Sequence, residues 1–125
     1  GKEKALNFEY LRKQGMQLHS KMRFISAQFD RYLTDDLWRI NALHANQMAT
    51  MLAEKLSAFP ELTITQEVKA NGVFVIIPPH LIPKLQKEYF FHVWNENISE
   101  VRLMCSWDTT SEDINGFVGL LKQMI

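Results

Sequence analysis

Asn71-Gly72-Val73-Phe74-Val75-Ile76-Ile77-Pro78-Pro79 is the stretch on which the fold turns. An Asn-Gly pair favours a tight turn, five apolar residues rich in β-branching favour a strand, and two prolines end it because proline has no amide to donate. Just upstream, Leu62 and Ile64 alternate with Thr63 and Thr65, a period of two that marks a preceding strand. Downstream, His80 to Phe90 reads as a short helix, Phe91 to Trp94 as a third strand and Val101 to Trp107 as a fourth. Thr110 with Asp113 three residues on has the form of a capping box, opening a last helix with Ile114, Phe117, Leu121 and Met124 turned inward.

Before the strands the period changes. Leu11, Gly15, Leu18, Met22, Ile25 and Phe29 recur at alternating steps of four and three, which predicts one long helix from about Ala5 to Leu33. Thr34, with Asp35 and Asp36 behind it, supplies an N-cap and first-turn carboxylates for a second helix. That helix runs to about Phe59, where Pro60 stops it, with Leu37, Ile40, His44, Met48, Met51 or Leu52, and Leu56 inward; the two helices are expected to pair as a hairpin. The order predicts an α+β fold: a long helical stem, then a small, mainly antiparallel sheet covered by helices on one face. Residues 1–33 form the stem and residues 34–125 the small domain. A stem this long ahead of so small a sheet suggests that it packs on something outside the chain.

With 125 residues, 46% of them hydrophobic, the chain is the size of a single ordinary domain. Fourteen basic residues balance fourteen acidic ones, so no field of one sign draws a nucleic acid or an anionic membrane to the surface. Cys105 is the single cysteine, which excludes an internal disulfide, and no His/Cys cluster has zinc-ligand spacing. Gly1 to Leu11 has no apolar signal core, and Val73 to Ile77 is too short to span a bilayer. A soluble protein of the reducing cytoplasm is expected.

Arg102, between Val101 and Leu103, is the residue that most asks for an explanation. A guanidinium in an apolar strand is costly unless a carboxylate or phosphate meets it in a bidentate fork. That partner is either a ligand or, internally, Glu100, Glu96 or Asp108. His19, His44, His80 and His92 form no pair with Cys105 or an acid, and Cys105 among apolar neighbours reads as a small buried group. Arg12, Lys13, Lys21 and Arg23 line the first helix as either an anion site or a solvated face. Tyr89-Phe90-Phe91 and Trp94 read as core or subunit interface more readily than as a ring-stacking site.

Several segments together resemble the C-terminal third of low-specificity threonine aldolases and their β-eliminating lyase relatives. Leu11-Arg12-Lys13, Gly15-Met16 and Lys21-Met22-Arg23 are similar to the family's helix after the cofactor lysine. His44-Ala45-Asn46 and Leu52-Ala53-Glu54-Lys55-Leu56 resemble its next helix, and Asn71 ahead of Val73-Phe74-Val75 resembles a strand entry. Val101-Arg102-Leu103, continuing through Trp107-Asp108-Thr109-Thr110 to Asp113, is similar to its Ile-Arg-Leu strand and the turn before the last helix. Here Leu18-His19-Ser20-Lys21 stands where family members usually carry a glycine cluster.

The resemblance implies the small domain of a fold-type-I pyridoxal-phosphate enzyme. Arg102 would grip the substrate carboxylate, and Arg23 and Lys13 would lie near the cofactor phosphate. The Schiff-base lysine and the other reactive groups would belong to a large domain upstream of Gly1, leaving no catalytic residue here and the isolated chain inactive. The implied enzyme cleaves threonine and related β-hydroxy amino acids as a homodimer or homotetramer. Without the resemblance, Arg102 also suits a stand-alone module that binds an amino-acid effector, and the stem suits a structural interaction domain.

Overall fold

The computed structural model describes residues 2–16 and 19–125. The chain forms two compact units, one ending at Trp38 and the other spanning Arg39–Ile125. No helix among the described residues is long and apolar enough to cross a membrane.

The first unit differs from the single helix that the four-three spacing predicts. It holds α1 (Lys2–Ala5), α2 (Phe8–Gln14) and α3 (Met22–Leu33). The break after α2 falls at Gly15, whose amide closes on Leu11, followed by Met16 with φ of 52°. Glycine is among the weakest helix formers, and a left-handed residue cannot continue a right-handed helix. The position assigned to Leu18 lies outside the described residues. Thr34 is not the N-cap acceptor its position suggests, because its hydroxyl donates back to the Asp30 carbonyl at 2.6 Å. Asp35 and Asp36 turn left-handed, with φ of 55° and 57°, before α4 (Leu37–Leu56) begins. Aspartate is one of the few residues that enters that region at modest cost.

In the second unit α4 buries Ala45, Ala49, Leu52, Ala53 and Leu56. This stripe departs from the predicted one, since Ile40 is 55% exposed and alanines take the inner line. Alanine fills a tightly packed line as well as a larger apolar residue does where little space is left, and a search for large apolar residues misses it. The helix ends at Leu56, three residues before Phe59, and the chain turns through a Phe59-to-Leu56 backbone bond ahead of Pro60.

Strands β1 (Thr63–Ile64), β2 (Gly72–Ile76), β3 (His92–Asn95) and β4 (Glu100–Met104) form one sheet in the order β1-β2-β4-β3, antiparallel throughout. The helix expected over 80–90 contracts to α5 (Ile82–Leu85), flanked by turns, and α6 (Ser111–Met124) follows the sheet. Val73, Val75, Val101 and Leu103 on one sheet face pack with Leu52 and Leu56 of α4, Leu85 of α5, and Ile114, Phe117 and Leu121 of α6. The helices therefore cover one face of a small antiparallel sheet, as the order of elements requires.

The capping box forms as read. The Asp113 amide donates to the Thr110 hydroxyl oxygen at 3.2 Å, and the Thr110 amide and hydroxyl donate to the Asp113 carboxylate at 2.8 and 2.7 Å. Those two bonds, the hydroxyl's first, hold the Asp113 carboxyl below its usual range. A carboxyl lowered in the folded state adds stability that is present above its unfolded value and disappears as pH falls through the folded one. Asp113→Asn should therefore lower stability at neutral pH and flatten the acid limb of a denaturation midpoint against pH; parallel curves would show that ionisation of the Asp113 carboxyl contributes nothing.

Candidate functional site

The helix cover leaves the other sheet face open, and strand alternation decides what stands on it. On β4 this set is Glu100, Arg102 and Met104; on β2 it is Gly72, Phe74 and Ile76. Arg102 lies directly opposite Phe74 on one side and His92 on the other, so it sits on an inner strand in the middle of the face.

Arg102 is half-buried, and its Nε–H is buried without a hydrogen-bond partner. None of the three carboxylates that could neutralise it internally does so. Among the described residues no carboxylate lies within ion-pair distance of the guanidinium. Glu100 is itself buried and accepts a hydrogen bond from the Thr65 hydroxyl at 2.5 Å, while Asp108 accepts one from the Ser106 hydroxyl. Glu96 stands exposed in a short 3-10 turn. The guanidinium does meet Trp94, whose ring centroid is 5.0 Å from Cζ, and Trp94 meets Phe74 edge to face at 5.4 Å. A buried donor left unpaired costs about 1–3 kcal/mol, so the arrangement suits an anionic partner from outside the unit.

The aromatic group read as core or interface divides. Phe91 is buried, Tyr89 packs edge to face on Phe117, Phe90 is exposed, and Trp94 belongs to the arginine. Sequence reasoning misses Trp94 and Phe74 as neighbours of Arg102, because nothing local announces a pairing across two hydrogen-bonded strands. Alternation along β2, β3 and β4 is the available signal.

Of the histidines, His44 has a structural partner. Its Nε2 lies 2.7 Å from the Thr109 carbonyl, which can only accept, so Nε2 carries the proton. That bond ties α4 to the turn leading into α6. Cys105 is buried, and burial pushes its thiol pKa up, away from nucleophilic use. It lines a cavity of about 310 Å³ with Leu103, Thr109 and Phe117, whose lining holds no lysine or arginine and so does not suit a carboxylate. No group of three or more metal-ligating side chains occurs among the described residues.

Lys13, in the last turn of α2, and Arg23, in the first turn of α3, belong to the first unit and are exposed. Arg23 rests on its neighbour Phe24, with Cζ 5.0 Å from the ring centroid.

No family model matches the chain. It is 38% identical over 110 residues to the low-specificity L-threonine aldolase of Pseudomonas aeruginosa, covering 88% of the chain and 32% of that enzyme. It is 39% identical over 106 residues to the enzyme of the same name from a Pseudomonas species, covering 84% of the chain and 30% of the relative. The solved threonine aldolase of Leishmania major superposes with a TM-score of 0.84 at 25% identity, over 95% of the chain and 35% of that structure. The chain thus spans about a third of the length of its relatives. Sequence and fold agree over nearly all of its residues: the chain belongs to the low-specificity L-threonine aldolase family, of which it carries the C-terminal part.

Proposed function

We propose that this chain supplies the substrate-carboxylate site of an enzyme that cleaves β-hydroxy amino acids, threonine among them, to glycine and an aldehyde. The observation that carries the proposal is Arg102, whose guanidinium stands on the open sheet face with a buried Nε–H and, among the described residues, neither a hydrogen-bond partner for it nor a carboxylate of its own. A planar fork of donors in that setting matches a carboxylate better than any other part of an amino acid. Residues 1–33 would lead in from a large domain and residues 34–125 would form the small domain, within a homodimer or homotetramer of the reducing cytoplasm.

The family depends on pyridoxal phosphate, which when bound supplies the electron sink for breaking the bond between Cα and Cβ. Lys13 and Arg23 are exposed cations, with no buried residue in α2 or α3 beside them among the described residues. They fit a phosphate presented by another part of the protein and do not constitute a cofactor site alone. Arg102 would hold and orient the carboxylate, and the apolar surface of Phe74 and Trp94 beside it would keep water from competing for the fork. The isolated chain would then be inactive. The test is to supply the cofactor-loaded enzyme carrying this chain with threonine and assay glycine and acetaldehyde. Both should appear in equal amounts; binding of threonine without cleavage would favour a stand-alone amino-acid-binding role instead.

A further inference from the structure

Trp94 is 55% exposed, so burial in the core does not account for an indole there. It lies two residues after His92, the residue opposite Arg102, so strand alternation puts it on the face of Arg102, just where the β3–β4 register slips between Val93 and Asn95. Two contacts form there. The indole lies 5.0 Å from Arg102 Cζ, and its ring meets Phe74 at 77°. Phe74 is in turn paired across the ladder with Arg102 itself, so the three side chains brace one another on the three adjacent strands β2, β4 and β3. On the same face, Glu100 is two residues from Arg102 and would be its natural intramolecular partner, yet the Thr65 hydroxyl holds its carboxylate.

We infer that Trp94 is a positioning residue, resting on the carboxylate reading of Arg102: its ring restrains the guanidinium so that the donor fork faces the substrate before it binds. A long arginine side chain has many rotamers, and ordering it in advance removes a cost that binding would otherwise meet. The restraint acts on binding and leaves the chemical step alone.

In the cofactor-loaded enzyme, Trp94→Leu should raise KM for threonine roughly twofold to thirtyfold, the range of a cation–π contact, with kcat unchanged. Trp94→Phe, which keeps a ring, should recover most of the loss, and exposed Trp107→Leu should leave KM where it was. In an Arg102→Ala background Trp94→Leu should add nothing, because its effect passes through the arginine. An equal KM for Trp94→Leu and the parent, with Arg102→Ala still raising it, overturns the positioning role and leaves the carboxylate reading standing. Should Arg102→Ala itself leave KM unchanged, the carboxylate reading falls and the inference with it. A second readout needs no activity. In the 125-residue chain, rotation of the Arg102 guanidinium, followed by NMR of its nitrogens, should be slow in the parent and Trp94→Phe and fast in Trp94→Leu. Equal rates in all three would overturn the inference by themselves.

Discussion

Arg102→Ala should raise KM for threonine about a hundredfold while the visible absorbance of the bound cofactor stays intact. A hydrogen bond to a charged group contributes about 1.5–3 kcal/mol, and a bidentate fork makes two; since about 1.4 kcal/mol is a factor of ten, the loss spans one to a few orders of magnitude. The fold should tolerate the change, because Arg102 has no ion pair to lose among the described residues and its buried Nε–H is already unpartnered. Arg102→Lys should recover only part of the affinity, since an ammonium is a point charge without the planar fork. Steady-state kinetics with an absorbance spectrum of each variant decides the matter. An unchanged KM removes Arg102 from substrate binding, and a lost spectrum would mean the substitution acts on the cofactor instead.

Leu56→Ala should destabilise the chain by about 2–5 kcal/mol, the usual result of emptying a fully buried leucine site. Leu56 is 0% exposed, at the end of α4 against the sheet, where it packs into the same core as Val73, Leu85 and Leu121. A domain of this size has only about 5–15 kcal/mol to lose, so the variant should unfold at a much lower urea midpoint. Ile40→Ala on the same helix is the informative partner. Helical spacing alone puts Ile40 and Leu56 on one inner line, yet Ile40 is largely exposed, and its truncation should stay within about 0.5 kcal/mol. Equal losses at the two positions would contradict the burial pattern of α4.

That pair of residues shows where sequence reasoning succeeds and where it stops. Patterns whose cause is local survive into the structure. Val73 to Ile77 is a strand because β-branched residues suit a pleated backbone and Pro78-Pro79 cannot continue the ladder. Thr110 and Asp113 cap α6 because both partners lie within one helical turn. Arg102 was legible for a related reason, a charge in an apolar strand being conspicuous wherever the strand lies.

The sequence by itself therefore determined the element types, the α+β class, the last helix cap, and Arg102 as the residue needing a partner. Tertiary structure alone decided the rest. The first helix breaks at Gly15 and Met16, although the apolar spacing runs through them, because periodicity says which side chains would share a face and not whether the backbone stays helical. Alanines 45, 49 and 53 form the buried line of α4 together with Leu52 and Leu56, a line that large apolar residues alone do not mark. The surroundings of Arg102 depended on Phe74, 28 positions before it, and Trp94, 8 positions before it, meeting it across hydrogen-bonded strands. Contacts of that kind arise from strand register, a property of the assembled sheet that no single segment encodes.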